Sequence, residues 1–241
     1  MAWGAKILVV GAGGLGIPAA WALARGGAKS LTLVDPDPVE LSNLARQFIF
    51  IDADIGRPKV EATRERLTAR FLAISIDPRA VALDESNAAT LIGEHSFIID
   101  ATDNPSVKFL INDTCVRLKT PFVYAGVVGA RGQAMTVIPG QSACLRCLFE
   151  EPPGEDEAAS CRDAGIIGPV AGAIGEIEAA EANRCVTGLA PNLAGKILTY
   201  DAGARPRVRI AAVSARRGCV CGACAAAEAK RGTKEHHELH Q

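Results

Sequence analysis

The segment Gly11-Ala12-Gly13-Gly14-Leu15-Gly16 has the glycine spacing of a loop that binds nucleotide phosphates between a strand and a helix. In such a loop the first glycine permits a tight turn, the second lets the backbone approach a phosphate, and the third lets the helix pack on the strand. The N-terminus of the following helix adds free N–H groups and a positive dipole end. The loop predicts a bound nucleotide but does not specify which one.

Charged side chains beyond the loop favour a nucleoside triphosphate over a nicotinamide dinucleotide. Asp35 ends the second predicted strand, where an acid accepts hydrogen bonds from a ribose hydroxyl of either ligand. Arg46 and Lys59 follow, and a triphosphate needs such cations to stabilise its leaving group. Asn43 can hydrogen-bond the same phosphates, and Asp103, at the carboxyl end of a strand, can hold Mg²⁺.

Each of these residues also has a purely structural interpretation. Lys59 suits a solvated position in the first turn of a helix, and Arg46 could pair with Asp52 or Asp54. The sequence Asp103-Asn104-Pro105 could cap the helix that follows it. Their joint placement around one loop favours ATP. The glycine loop and the ribose-binding acid alone would instead suggest an NAD(P)-dependent oxidoreductase, which remains the alternative.

Two cysteine pairs with metal-ligand spacing form a second group. Cys144-Leu145-Arg146-Cys147 and Cys221-Gly222-Ala223-Cys224 are C-x-x-C pairs, and four thiolates of this kind make a tetrahedral structural zinc site. Such a site would fasten the C-terminal segment back onto the domain. Cys219 leaves the ligand set open because Cys219-x-Cys221 could supply ligands instead, but the spacing favours Cys221 and Cys224.

The remaining cysteines divide into one reactive candidate and two core thiols. Cys161 follows a polar stretch and precedes Arg162, and a thiol beside a cation can ionise and act as a nucleophile. An inert Cys161 is an equally open interpretation. Cys115 and Cys185 fall within predicted helices, where we expect them to pack as core side chains.

Strands and helices alternate through the first part of the chain in the order typical of a doubly wound sheet. We predict helices over 15–26, 58–70, 87–93, 105–118 and 168–188, and strands over 6–10, 31–34, 74–82, 97–101, 122–126, 133–137, 196–200 and 208–210. The predicted fold is α/β and Rossmann-like, with a mainly parallel sheet, C-terminal antiparallel strands and a structural zinc site. We expect one domain over 1–225 and a polar, disordered tail over 226–241.

Bulk properties exclude several function classes. The 241 residues carry a net charge of −1 without a long basic run, which disfavours nucleic-acid binding. No apolar stretch reaches the roughly 18–20 residues of a membrane span, and the start of the chain runs directly into the first strand without a signal peptide. We therefore expect a cytoplasmic protein whose cysteines bind metal or react rather than form disulfides.

Several separated motifs together resemble one family. Beside the glycine loop and the cysteine pairs, the chain contains Leu33-Val34-Asp35, Leu41-Ser42-Asn43-Leu44-Ala45-Arg46-Gln47, Gly56-Arg57-Pro58-Lys59, Ala101-Thr102-Asp103-Asn104 and Cys161-Arg162-Asp163-Ala164-Gly165. In this order they resemble the HesA/MoeB/ThiF family, the prokaryotic relatives of ubiquitin-activating E1 enzymes. The resemblance covers roughly residues 5–224.

The resemblance implies an enzyme that adenylates the C-terminal glycine carboxylate of a ubiquitin-fold sulfur carrier ending in Gly-Gly, with ATP as AMP donor and pyrophosphate as leaving group. It implies stabilisation of the phosphates by Arg46 and Lys59. The other implied contacts to ATP come from Gly14 and its neighbours, Asp35, Ser42, Asn43, Leu44, Ala45, Asp103 and Asn104. Asp103 would hold Mg²⁺. The resemblance also implies a homodimer.

It implies two roles for cysteines as well. Cys144, Cys147, Cys221 and Cys224 would bind structural Zn²⁺, and Cys161 matches a cysteine that in some relatives bonds to the carrier or takes part in sulfur transfer. Relatives usually carry an N-terminal extension whose arginine reaches the partner's ATP, and we expect this chain to lack that arginine. Either Arg131 substitutes, or activity is reduced and the chain is an impaired scaffold. Without a rhodanese-like domain, we expect a separate sulfur donor.

Overall fold

The computed structural model describes residues 3–152, 165–205 and 207–219, which form one eight-stranded sheet with helices on both faces. The strands are β1 Trp3–Val10, β2 Ala28–Val34, β3 Ser75–Arg79, β4 Phe97–Asp100, β5 Phe122–Val128, β6 Arg131–Val137, β7 Lys196–Asp201 and β8 Val208–Ala212. The helices are α1 Gly16–Arg25, α2 Lys59–Arg70, α3 Ala88–Gly93, α4 Pro105–Leu118, α5 Leu145–Leu148 and α6 Gly168–Val186. Cys161, Cys221, Cys224 and the predicted tail over 226–241 lie outside the described residues.

The strand order is β3-β2-β1-β4-β5-β6-β7-β8. All pairs from β3 to β5 are parallel, whereas β6, β7 and β8 are added antiparallel. This confirms the predicted α/β class and the antiparallel C-terminal strands. The strand order reverses at β1, between β2 and β4, and open α/β sheets bind ligands beyond the carboxyl ends of strands at such a point. The glycine loop follows β1 there, and Asp103 follows β4.

The buried strands place two apolar layers on opposite faces of the sheet. Ile7 and Val9 of β1 pack with α1 and α6, whereas Leu8 and Val10 pack with the side chains of α3 and α4. In β4, all four residues from Phe97 to Asp100 are buried. Strands that are covered on both faces consist of nearly continuous apolar residues, so the sequence pattern predicts their positions.

The long helix α6 holds the glycine loop from one face of the sheet. A Cβ added to Gly175 would lie 2.5 Å from the Leu15 carbonyl oxygen, so α6 approaches the start of α1 more closely than any side chain would allow. Short elements were missed by the sequence analysis: α5 and the 3₁₀ turns Leu41–Asn43 and Asp52–Asp54. Among the described helices, none has the length and apolar character to cross a lipid bilayer.

Candidate functional site

The glycine loop has the geometry that its spacing predicts. Gly11 has φ +102°, and a Cβ there would lie 2.6 Å from the Ala101 carbonyl oxygen at the end of β4. A Cβ on Gly16 would overlap the Gly11 carbonyl oxygen. The nearest atom to a Cβ on Gly13 would be Gln47 Nε2 at 3.8 Å, so this glycine leaves open space. The loop is therefore closed where it packs and open where a ligand would approach.

Backbone donors are available at the start of α1. The N–H groups of Gly13, Gly14 and Leu15 find no acceptor among residues 3–152, 165–205 and 207–219. The Ala12 N–H, by contrast, donates to Asp35 Oδ2 at 2.7 Å. The unpaired donors at a helix N-terminus carry a partial positive charge, which suits an anionic ligand.

Asp35 and Lys59 lie together beyond the end of β2. Asp35 accepts backbone N–H bonds from Ala12 and from Asp37, the latter at 2.9 Å. Lys59 Nζ lies 4.0 Å from Asp35 Oδ1 and donates to Asp37 Oδ2 at 2.8 Å. Burial raises the pKa of Asp35, and the charge of Lys59 opposes that shift. Lys59 is itself buried, which rules out the solvated interpretation of this lysine.

The segment after β2 folds into a turn that orients Arg46. Asn43 is buried and its Oδ1 accepts from the Glu40 N–H at 3.1 Å, which closes the 3₁₀ turn. Arg46 Nη1 donates to the Ser42 carbonyl oxygen at 2.9 Å. The alternative pairing of Arg46 with an aspartate is wrong, because Asp54 pairs with Arg57 and Arg66 and the described residues give Arg46 no ion pair.

The turn after β4 presents an exposed carboxylate above a buried ion pair. Lys108 Nζ donates to Asp100 Oδ1 at 3.1 Å and to the Ala125 carbonyl oxygen. Burial raises the pKa of Asp100, with Lys108 acting in the opposite direction. Asn104 Oδ1 accepts from the Ser106 and Val107 N–H groups and so caps α4. The capping interpretation is thus confirmed for Asn104, whereas Asp103 is exposed and forms no ion pair with a described residue.

One cavity of about 1260 Å³ connects the glycine loop with the antiparallel strands. Leu15, Arg46 and Asp103 border it at one end, and Thr199 and Arg209 border it at the other. Asp35 and Lys59 do not line it; they lie at the end of β2, where Ala12 joins them to the loop. The arrangement offers donors and a cation for an anion, beside a carboxylate that can hold a hard cation.

A cysteine cluster lies beside α4, where the Leu145 N–H donates to Asn112 Oδ1. The Sγ atoms of Cys144, Cys147 and Cys219 all lie within 4.8 Å of one another. The Cys144 Sγ is 3.9 Å from that of Cys147 and 3.7 Å from that of Cys219. Thiolates about 2.3 Å from a tetrahedral zinc stand about 3.8 Å apart, whereas disulfide sulfurs are bonded at about 2.05 Å. These residues therefore fit a thiolate metal site.

The predicted residues thus gather into two groups, with a few additions. The glycine loop, Asp35, Arg46, Lys59 and Asp103 surround one region, and the first cysteine pair lies in the cluster. Gln47 is a site residue that sequence reasoning missed. Its buried Oε1 has no hydrogen-bond partner among the described residues. Its Nε2 is the atom that a Cβ on Gly13 would approach most closely. Its place directly after Arg46 was the available signal. Cys115 is buried as predicted, and Cys185 is half-buried.

Comparison with known proteins identifies the family. The ThiF family matches residues 4–223, nearly the whole chain. The chain belongs to the ThiF family. This confirms the resemblance inferred from the separated motifs and removes the support for an oxidoreductase, which rested on the glycine loop and one acid.

Individual relatives carry names that describe adenylyl transfer. The molybdopterin-synthase adenylyltransferase of Escherichia coli K12 is 41% identical over 199 residues, which are 82% of this chain and 79% of that protein. The adenylyltransferase and sulfurtransferase MOCS3 of Arabidopsis thaliana is 37% identical over 219 residues, 90% of this chain but 47% of that protein. The chain spans about half the length of the MOCS3 relatives.

Solved structures confirm the fold of this ThiF-family chain. The crystal structure of E. coli MccB with ATP superposes with a TM-score of 0.79 at 23% identity, over 91% of this chain and 68% of MccB. The crystal structure of MccB with an MccA peptide variant gives the same TM-score. At this identity the superposition shows a shared architecture and says nothing further about ligands.

Proposed function

We propose that this chain adenylates the C-terminal glycine carboxylate of a ubiquitin-fold sulfur carrier ending in Gly-Gly. The observation that carries the proposal is that Leu15 of the glycine loop, Arg46 and Asp103 border the same cavity. The names of the relatives, adenylyltransferases of which the E. coli protein is matched over most of its length, support the same reaction.

In the proposed reaction, an oxygen of the carrier carboxylate forms a bond to the α-phosphorus of ATP, and the bond from that phosphorus to the bridging oxygen breaks. Pyrophosphate leaves with the electron pair of that bond, and the carrier becomes an acyl adenylate. No protein nucleophile is needed, because the chain positions the two substrates and stabilises charge. The N–H groups of Gly13, Gly14 and Leu15 face the phosphates, and Arg46 stabilises the leaving group.

In this proposal, Asp35 binds the ribose of the nucleotide. Its Oδ1 and Oδ2 already accept backbone bonds, and each oxygen retains a further lone pair for a ribose hydroxyl. Lys59, held by Asp37 and close to Asp35, adds a positive charge beside the bound nucleotide. Asp103 is an exposed carboxylate on the cavity wall and fits Mg²⁺, which would neutralise charge on the phosphate oxygens.

The structural metal of the proposal is Zn²⁺, and its ligands include Cys144 and Cys147. From the C-terminal segment, the spacing favours Cys221 and Cys224, while the cluster geometry adds Cys219 as a ligand candidate. We propose Cys219 as the third thiolate, with the fourth coming from Cys221 or Cys224. A metal held this way would tie the segment after β8 to the start of α5.

A second copy of the chain is proposed to cover apolar side chains beside the nucleotide. Leu41, Phe48, Ile51 and Ile55 are exposed on the segment that carries Arg46. Soluble monomers rarely leave such a group uncovered. Cys161 remains proposed as a thiol for carrier bonding or sulfur transfer after adenylation, and a separate protein is proposed to supply sulfur.

The test is ATP–pyrophosphate exchange with a recombinant ubiquitin-fold protein ending in Gly-Gly from the same genome. We expect exchange that requires this carrier and is lost in the Lys59→Ala/Asp103→Ala double variant. Arg117→Ala, an exposed residue in the last turn of α4, is the control and should retain it. Exchange that survives in the double variant would contradict the proposal. ATP binding without exchange for any such carrier would identify an impaired scaffold.

A further inference from the structure

The cavity is larger than one nucleotide requires. Small-molecule sites typically occupy about 300–1,000 Å³, and this cavity of about 1260 Å³ runs from the glycine loop across the antiparallel strands. Its outer lining includes Thr199, Asp201, Arg207 and Arg209, which lie on or beside the last two strands. The part beyond Asp103 is therefore available to the second substrate.

The strand register gives this part a continuous floor. Gly126 of β5 lies opposite Gln133 of β6, Gln133 opposite Thr199 of β7, and Thr199 opposite Arg209 of β8. Directly opposed residues share one face of a sheet, so these four form a row from the middle of the sheet to its edge. Gly126 contributes no side chain to the row. The row therefore has no side chain at its inner end on β5 and ends in the cation Arg209 on the edge strand β8.

Three arginines give the outer end an excess of positive charge. Arg131 pairs with Asp201 at 2.9 Å while its side chain remains 80% exposed. Arg207 and Arg209 form no ion pair or side-chain hydrogen bond with any residue in the described ranges. Among the residues that the structure describes, Asp201 and Glu151 are the carboxylates that border this part of the cavity, so arginines outnumber them there. Two unpaired guanidinium groups beside a channel suit a carboxylate partner.

The width of the sheet from β4 to β8 sets how far the carrier's acidic side chain must lie from its terminal carboxylate. Four strand spacings of about 4.8 Å separate β4, which precedes Asp103, from β8, a span of about 19 Å. An extended chain covers about 3.3 Å per residue, so about six residues bridge it.

Resting on the proposed function, we propose that the outer arginines Arg207 and Arg209 select carriers with an acidic side chain about six residues before the terminal glycine. The terminal carboxylate then lies beyond the end of β4, beside Asp103, while the acidic side chain meets β8. The chain as a whole carries a net charge of −1, so this is a local positive group and not a general surface for polyanions.

The experiment measures ATP–pyrophosphate exchange at varied carrier concentration, using the Gly-Gly ubiquitin-fold protein from the same genome that supports exchange. The Arg207→Glu/Arg209→Glu variant should raise the KM for that carrier about tenfold or more, with the KM for ATP unchanged. Arg70→Glu/Arg117→Glu makes the same charge change in the last turns of α2 and α4, at residues that do not line the cavity, and should leave both constants as they are.

A charge exchange identifies the carrier residue. Replacing the carrier's acidic residue by lysine should weaken the wild-type reaction and restore the double-glutamate variant. An unchanged carrier KM in that variant, with active wild-type enzyme, overturns the inference and leaves the proposed function intact. Absence of exchange in the wild type itself contradicts the proposed function instead.

Discussion

The two parts of the sheet build their sites in different ways. In the parallel part, β1 to β5, backbone geometry makes the site: glycines at a tight turn, unpaired N–H groups and carboxylates directly after strands. In the antiparallel part, β6 to β8, exposed side chains on and near an edge strand make the surface, and residues distant in sequence make the cysteine cluster. Substitutions in the first part should disturb fold and chemistry, and those in the second should disturb partner or metal binding.

The largest effect should come from Gly16→Ala. A Cβ at this position overlaps the Gly11 carbonyl oxygen. Gly11 is held by its N–H bond to the Val34 carbonyl oxygen and lies tightly against Ala101, so the loop cannot relax without losing its packing. We expect a loss of about 4 kcal/mol in the free energy of unfolding, or no folded protein.

Denaturant unfolding of Gly172→Ala provides the matched control. A Cβ at Gly172 in α6 meets nothing within 4 Å, and alanine suits a helix better than glycine. This variant should gain up to about 1 kcal/mol. Equal effects of the two substitutions would show that the loop does not depend on the close approach.

Arg46→Ala should act on chemistry while leaving the fold intact. Arg46 is half-buried on the cavity wall and its hydrogen bond with a described residue is the one to Ser42. Loss of one charge-stabilising donor in an active site costs about a hundredfold in rate. We expect that reduction in kcat for carrier-dependent exchange, with the thermal midpoint changed little. Arg117→Ala, exposed in the last turn of α4, is the control, and an equal rate in both variants would place Arg46 outside the reaction.

Local signals in the sequence predict the element bounds most accurately. The bounds of α4, from Pro105 to Leu118, agree with the prediction because a capping asparagine and proline mark its start. β2 begins three residues earlier than predicted, at Ala28, since pairing with Trp3 extends it. Strand propensity along the sequence alone does not report such pairing.

What the sequence could not show depends on distant contacts. Lys108 was overlooked because lysine is seldom buried, yet here Asp100 and a strand carbonyl pair with it. Cys219 was set aside in favour of regular C-x-x-C spacing. Its sulfur nevertheless lies 3.7 Å from that of Cys144, 75 residues earlier in the chain, which only the fold can reveal.

Cys219→Ser tests the metal set of the antiparallel part. If Cys219 is a ligand, the variant should lose zinc to a chelator at about tenfold lower chelator concentration than wild type. Its cobalt-substituted form should show a weaker thiolate charge-transfer band. Cys185→Ser, a half-buried thiol in α6, should match wild type. Unchanged zinc retention in Cys219→Ser, with loss in both Cys221→Ser and Cys224→Ser, would assign the ligands to the regular pair instead.

The smallest effect should come from Glu178→Gln, behind the parallel strands. Glu178 is fully buried in α6, and neither carboxylate oxygen has a hydrogen-bond partner among the described residues. Burial raises its pKa well above the ordinary value of 4.5, with nearby Lys108 opposing that shift and Asp100 adding to it. The folded protein therefore keeps a proton that the unfolded chain releases above about pH 4.5.

This retained proton makes stability fall as pH rises from about 4.5 toward the raised pKa, since the unfolded state then binds fewer protons. Glutamine removes the titration, so Glu178→Gln should be more stable than wild type by about 1 kcal/mol near pH 7.5, with a smaller gain near pH 5. Glu176→Gln, an exposed neighbour on α6 paired with Arg25, should show no such gain with pH. The stability difference between wild type and Glu178→Gln could instead stay constant from pH 5 to 7.5. That result would mean that Glu178 ionises alike in the folded and unfolded states. The buried part of the sheet would then tolerate the charge as readily as the exposed edge does.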